Sequence, residues 1–255
     1  MPPDVDLIPC LADNYAVLLH DPASGATLLV DAPEEAPIAA ALDRRGWTLT
    51  HILITHHHGD HVGGLKALKA RSGATVIGPA AEASRIDGLD RTVADGDRFD
   101  AGPWPVQVIA TPGHTLGHVA YHLPTAGVAF TGDTLFSLGC GRVFEGTLEA
   151  MWGSLDRLRA LPQETVVYCG HEYTASNARF ALSVDPANEA LRARAAEVEA
   201  LRAAGRPTLP TTIAAELAAN PFLRADDPAL AAVVGLPPGD PAAVFAALRR
   251  RKDAA

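Results

Sequence analysis

The stretch THHHGDH, Thr55 to His61, puts four histidines and an aspartate into seven positions. Unperturbed imidazoles titrate near neutrality, so crowding them invites mutual repulsion or a costly burial. A divalent cation removes the conflict, because it holds the rings neutral and uses them as ligands. The competing reading is a solvated, His-rich loop. The segments around the motif decide between the two.

Outward from the motif, apolar strands end in residues of the same kind. HILIT runs into His56, His57, His58, Gly59, Asp60 and His61; PVQVIATPG runs into His114; GVAFTG into Asp133; TVVYCG into His171. Strand C-terminal ends are where open α/β folds gather their ligand sites. His114, Asp133 and His171 each directly follow a glycine, which lets the backbone turn sharply. Taken singly, each has a plain alternative. Asp60 could cap the helix that follows, His114 and His171 could be satisfied core histidines, and Asp133 could form a turn. For the metal reading to fail, all of these must hold at once.

The strands belong to a larger alternation. VDLIPC, YAVLLHD and GATLLVDAP read as N-terminal strands, the latter two joined by a Pro-Ala-Ser-Gly turn. LTHILITH, ATVIGPA, PVQVIATPGH, HVAYHL, GVAFTGD and TVVYCGH read as further strands. Between them DHVGGLKALKARSG has Val62, Leu65 and Leu68 at helical spacing, with Gly73 as its C-cap. This predicts an α/β layered sandwich. After Tyr173 the texture turns rich in Ala, Leu and Arg, without strand signals. NEALRARAAEVEALRAAG reads as a long helix opened by Asp185-Pro186 and closed by Gly205. TTIAAELAAN and DPAAVFAALRRRK read as shorter helices, the last with Asp240 as N-cap. The expected division is therefore a main α/β domain over residues 1–173 and a helical domain over residues 174–255.

Composition narrows the partners. The formal net charge of −9 argues against a nucleic-acid partner, which needs a basic face. No apolar run is long enough to span a bilayer. Acids in MPPDVDLIPC stand where an export signal carries positive charge, so a cytoplasmic protein is expected. Cys10, Cys140 and Cys169 form no CxxC and no disulfide framework, which fits a reducing compartment.

The spacing H-x-H-x-D-H with a later H, D and H resembles the signature of the metallo-β-lactamase-fold hydrolases. Within them, TLFSLGCGRVFEGT, TVVYCGHEYTASNARFA, TTIAAELAANPFLR and LRRRKD resemble the hydroxyacylglutathione hydrolases, or glyoxalase II, and the likeness runs from IPCLADNYAVLL to the end of the chain. The resemblance implies a metallo-β-lactamase-like αβ/βα four-layer sandwich with a C-terminal α-helical domain, and makes residues 1–173 the catalytic and residues 174–255 the substrate-binding domain. It also implies two divalent metal ions. His56, His58 and His114 would hold one, Asp60, His61 and His171 the other, and Asp133 would bridge them, making Asp60 and Asp133 the catalytic carboxylates. In an extended segment His56 and His58 face together and His57 away, so His57 is assigned a structural duty. Nitrogen and oxygen ligands suit zinc, and also iron or manganese. Metal-bound water can reach a pKa of about 7, so a hydroxide bridging the metals is the expected nucleophile and no activated cysteine is needed. Cys169 reads as core, and nothing in the sequence activates Cys140.

The implied substrate is a small glutathione thioester, S-D-lactoylglutathione, bound by Arg142, Phe144, Tyr173, Asn177, Arg249 and Lys252. Some relatives have tyrosine where Phe144 stands, so a hydroxyl donor is lost there. Arg249 and Lys252, three apart on one helix face, are expected near the surface, although cations there could also just complement the helix dipole. A monomer is expected. The rivals are a persulfide dioxygenase or lactonase of the same fold and a non-catalytic binder of glutathione conjugates.

Overall fold

The computed structural model describes residues 3–254; Met1 and Pro2 of the N-terminal stretch lie outside them. Two compact units divide the chain, Met1–Ala110 with Gly117–Gly132, and Thr111–Leu116 with Asp133–Ala255.

In the first unit β1 (Asp4–Cys10), β2 (Asn14–His20) and β3 (Thr27–Val30) run antiparallel, joined between the last two by a turn in which Gly25 has φ 74. Helix α1 (Glu35–Arg45) then crosses to β4 (His51–Leu53), and α2 (Gly59–Val62) and α3 (Leu65–Ser72) lead to β5 (Thr75–Pro79). A short 3-10 helix, Ala80–Arg85, precedes β6 (Arg91–Val93). From β3 to β6 the pairing is parallel, with Leu29 beside Ile52 and Ile52 beside Val76. Central parallel strands are buried on both faces, which is why Ile52, Leu53 and Ile54 form a continuous apolar run. Ile38 and Leu42 of α1 and Leu65 and Leu68 of α3 join the same core. Each such side chain contributes about 1.5–3 kcal/mol by leaving water. Gly73, at φ 71, closes α3 as the sequence predicts. Strands β7 (Arg98–Ala101), β8 (Trp104–Ala110), β9 (Val119–Leu123) and β10 (Val128–Gly132) form an antiparallel meander.

The second unit holds a two-stranded ribbon of β11 (Leu135–Phe136) and β12 (Gly139–Cys140), then α4 (Leu148–Arg159) and β13 (Val166–Cys169). Helices α5 (Thr174–Val184) and α6 (Glu189–Ala203) follow, then β14 (Thr211–Thr212), α7 (Ile213–Ala219), α8 (Pro228–Val233) and α9 (Pro241–Asp253). Two expectations need correction. The long helix is opened by Asn188, whose side chain accepts from Leu191 N, while Asp185 ends α5 instead. And the helical stretch contains a strand, β14, paired with β13; two residues are too few to show a period. Asp240 caps α9 as predicted, accepting from Ala243 N. Among the described residues, no helix is long and apolar enough to cross a membrane.

Candidate metal-binding site

In the first unit the motif is held by carboxylates. β4 continues as a hydrogen-bonded strand to Ile54, whose N–H donates to Ile77 O at 2.9 Å. Thr55 then donates through both its N and its Oγ1 to Asp31, at 2.8 Å each. Asp31 ends β3 with φ 55, and its Oδ2 lies 2.8 Å from Nδ1 of His61. A carboxylate on Nδ1 fixes that proton and leaves Nε2 as the atom able to take a metal. His56 Nδ1 lies 3.0 Å from Thr55 Oγ1, and its Nε2 lies 3.1 Å from His58 Nδ1. Asp60 is not a helix cap, since the residue flanking α2 is His58 and no side chain caps it. Instead Asn14 Nδ2 donates to Asp60 at both Oδ2, 3.1 Å, and the carbonyl, 3.0 Å. The His57 ring lies 4.8 Å from that of His58 and 6.3 Å from that of His56, and it bonds a carboxylate of its own. The N and Nδ1 of His57 lie 2.6 and 2.8 Å from Glu82 Oε2, and Glu82 Oε1 accepts from Gly117 N at 3.1 Å. Glu82 is buried, so these partners offset the cost of its desolvation.

In the second unit the candidate ligands are far apart in sequence and close in space. Oδ2 of Asp133 lies 3.3 Å from Nε2 of His114 and 3.3 Å from Nε2 of His171. The other ring nitrogen of His114, Nδ1, is 2.8 Å from the carbonyl of Arg142. Gly113, at φ 149, could not carry a side chain: a Cβ there would lie 2.8 Å from Cβ of Met151. The Tyr173 ring stacks on His171 at 4.7 Å, and the Phe144 ring meets His114 edge-on at 5.1 Å.

These spacings fit a metal. Two atoms bound at about 2.0–2.1 Å to a tetrahedral ion lie about 3.3 Å apart. His56 with His58 at 3.1 Å, His61 Nε2 with Asp60 Oδ2 at 3.7 Å, and both 3.3 Å contacts of Asp133 bracket that separation. The seven residues all belong to His/Asp groups able to hold an ion, so the chain has the means to bind divalent metal.

Comparison with known proteins gives the lineage. Residues 13–171 match the metallo-beta-lactamase superfamily, and residues 172–255 match the hydroxyacylglutathione hydrolase C-terminus. A hydroxyacylglutathione hydrolase of Rhizobium meliloti is 60% identical over 250 residues, 98% of each chain. One from Ruegeria pomeroyi is 57% identical over 253 residues, 99% of each chain. The chain belongs to the hydroxyacylglutathione hydrolase family. It has the metallo-β-lactamase fold with that family's helical C-terminal part. Among solved structures it is similar to ETHE1 from Myxococcus xanthus, with a TM-score of 0.70 at 28% identity, over 98% of this chain and 90% of that one.

The residues expected to bind a hydroxyacylglutathione hydrolase substrate divide by exposure. Arg142 is exposed, with its guanidinium 6.0 Å from the ring of Phe144, itself exposed. Tyr173 is partly exposed beside His171. Asn177 is buried; its Nδ2 donates to Ser137 O at 3.0 Å and its Oδ1 accepts from Lys252 Nζ. Arg249 is not near the surface as expected, being 3% exposed. Its Nη1 donates to Cys140 O at 3.0 Å and its Nη2 to Asp253 at 2.8 Å. The reason lies in its helix: Arg249 falls four residues after Phe245, on the face that also buries Val244 and Leu248. Lys252 is half-buried 5.7 Å from the Phe180 ring, and burial, with Arg249 second, pushes its ammonium down to about 8. Burial raises the thiols of both Cys140 and Cys169, the latter to about 12, so neither is an activated nucleophile.

Proposed function

We propose that this chain hydrolyses S-2-hydroxyacylglutathione thioesters, S-D-lactoylglutathione foremost, to glutathione and the free 2-hydroxy acid, D-lactate in that case. The observation that carries this reading is a complete set of seven metal-type ligands in a chain whose family match extends through residue 255. The two ligand sets would hold two ions. His56, His58 and His114 would hold one ion and Asp60, His61 and His171 the other, with Asp133 shared between them, a role its equal distances to His114 and His171 support. Zinc is the expected metal, since the donors are imidazole nitrogen and carboxylate oxygen without thiolate. When bound, the two ions supply Lewis acidity and bring the pKa of bound water to about 7.

The chain's own residues do the rest. Asp31 and the Arg142 carbonyl hold protons on Nδ1 of His61 and His114, keeping Nε2 of each ring as donor. Asn14 fixes the Asp60 carboxylate. Arg142, Tyr173 and Lys252 offer cations and a phenol to the glutathione part, whose two carboxylates need charge-assisted partners. Phe144 offers an apolar ring where a hydroxyl would add a donor. Residues 1–173 carry the chemistry and part of the substrate contact, and residues 174–255 the rest of the substrate handle, in a cytoplasmic monomer. A persulfide dioxygenase or a lactonase has less support, because neither accounts for the C-terminal family match, and a non-catalytic binder has less because it would not need all seven ligands.

The test is chelation followed by re-addition. Metal-free protein should release no thiol from S-D-lactoylglutathione, and two equivalents of zinc should restore turnover. Full turnover by verified metal-free protein would overturn the mechanism; a zinc-loaded protein inert toward this thioester would overturn the substrate.

A further inference from the structure

The ribbon β11–β12 sits between Asp133 and Arg142, and side chains from three helices hold its backbone. Asn220, just past α7, donates to Phe136 O at 3.2 Å and to Gly139 O at 2.9 Å. Asn177 of α5 donates to Ser137 O, and Arg249 of α9 to Cys140 O, at 3.0 Å each. Glu216 of α7 takes the Leu138 N–H at 2.8 Å; its two oxygens also accept from Asn220 Nδ2 at 2.9 Å and Thr211 Oγ1 at 2.7 Å. Glu216, Asn220, Asn177 and Arg249 are all buried. Leu138 is held at φ 56, a conformation that costs a non-glycine residue energy and persists only where neighbours impose it.

That ribbon has no slack toward the metal ligands. Gly141 N donates to Thr134 O at 3.1 Å, and a Cβ on Gly141 would come within 1.8 Å of the Asp133 carbonyl. A Cβ on Gly139 would meet Asn177 Nδ2 at 2.4 Å. These glycines therefore bring the backbone against its own chain. The next residue's carbonyl, Arg142 O, is the one 2.8 Å from His114 Nδ1.

We infer that Glu216 and Asn220 are positioning residues of the metal site: by fixing the backbone of Phe136–Cys140 they set where Asp133 and the Arg142 carbonyl stand, and so the aim of His114. The helical C-terminal part then has a second duty besides holding substrate. The inference rests on the metal reading proposed above. Partners that orient a ligating histidine are worth about 10–100-fold in metal affinity, and Asn220 acts one step further out.

The decisive experiment measures zinc affinity without substrate, by competition with a chromophoric chelator, on the full chain and its variants. Asn220→Ala should bind its weaker zinc about tenfold less tightly, with far-UV circular dichroism unchanged, and in turnover kcat should fall while KM holds. Glu216→Gln should stay within threefold of the parent: its amide oxygen can accept from Leu138 and Asn220 while its NH2 donates to Thr211 Oγ1. Asn177→Ala, which removes one anchor instead of two, should weaken zinc in the same direction by less, and it carries the test if Asn220→Ala does not fold. Parent affinity in both alanine variants would overturn the inference, and so would a Glu216→Gln variant that folds but loses zinc, since charge would then be the operative property. A parent chain that binds fewer than two zinc ions would sink the metal reading itself, a result separable from either.

Discussion

In the first unit the candidate ligands fall between His56 and His61 and are steadied by side chains, Asp31 on His61 and Asn14 on Asp60; in the second, His114, Asp133 and His171 come from three separate segments, and a backbone carbonyl steadies His114. The first set needs a strand end, a turn of helix and two nearby polar side chains. The second needs the ribbon and the helices that clamp it. Distant substitutions should therefore disturb the second set more easily than the first, whereas the first should fail mainly through its own few contacts.

Asp133 is the residue where the contrast can be broken outright. With one oxygen equidistant from two histidines, it is the candidate bridge. Asp133→Asn substitutes a neutral amide for the bridging charge, so one metal should be lost and kcat should fall by at least about a hundredfold. Metal analysis and thiol release on the folded variant check this; two retained metals with the parent rate would show that the halves do not share Asp133.

The first unit offers a sharper comparison within itself, since two buried carboxylates flank the motif. Asp31→Ala removes the acceptor for His61 Nδ1 and should weaken zinc by about 10–100-fold. Glu82→Ala strips the acceptor from His57 and from Gly117 N, which should cost about 1–3 kcal/mol in urea unfolding while the rate per folded molecule holds. Should Glu82→Ala lose zinc as Asp31→Ala does, His57 would be no mere structural histidine.

The same contrast explains what could be read from the residues alone. THHHGDH was legible because its meaning is local: the apolar run before it makes a strand, and the histidines follow at its end. His114, Asp133 and His171 were legible as strand ends, and Gly113 and Gly132 do have positive φ. Asp31 and Glu82 were not, because a carboxylate 24 or 25 positions before or after its partner has no periodic signature. Arg249 was misplaced for a similar reason. Charge suggested the surface, but its position relative to Phe245 and Leu248 put it on the buried face of α9.

That correction divides two cations that the sequence treats as a pair. Lys252→Ala should remove a contact made equally in ground and transition states, raising KM about tenfold with kcat unchanged. A charge-assisted hydrogen bond of roughly 1.5–3 kcal/mol sets that scale. Arg249→Ala also frees the Cys140 carbonyl, so KM should rise and kcat should drop several-fold. If cations there only complement the helix dipole, both variants would lower the melting temperature slightly and leave KM alone. Steady-state kinetics and thermal melts on the two single variants separate these outcomes.

The smallest expected effect is a pH dependence confined to substrate binding. Burial first, and the Arg249 guanidinium second, lower the Lys252 ammonium from its ordinary 10.5 to about 8. Below pH 8 it is charged and can hold a glutathione carboxylate; above, it is neutral and KM should climb several-fold by about pH 9.5 while kcat does not follow. Because a bound carboxylate favours the charged form, binding above pH 8 should take up a proton, visible as a binding enthalpy that depends on the buffer's ionisation. Lys252→Arg keeps a charge throughout this range and should flatten the KM profile. Stability moves the other way. The folded pKa lies below the unfolded one, so between about 8 and 10.5 the unfolded chain holds a proton that the folded chain has lost, and stability from this group rises with pH across that window. The burial cost is felt in full below pH 8 and relieved above it. Lys252→Met should abolish the rise in urea stability between pH 7 and 9.5. A parent KM that stays flat over that interval, in a protein whose stability nonetheless rises, would leave Lys252 a buried lysine of the helical part and take it out of the substrate site.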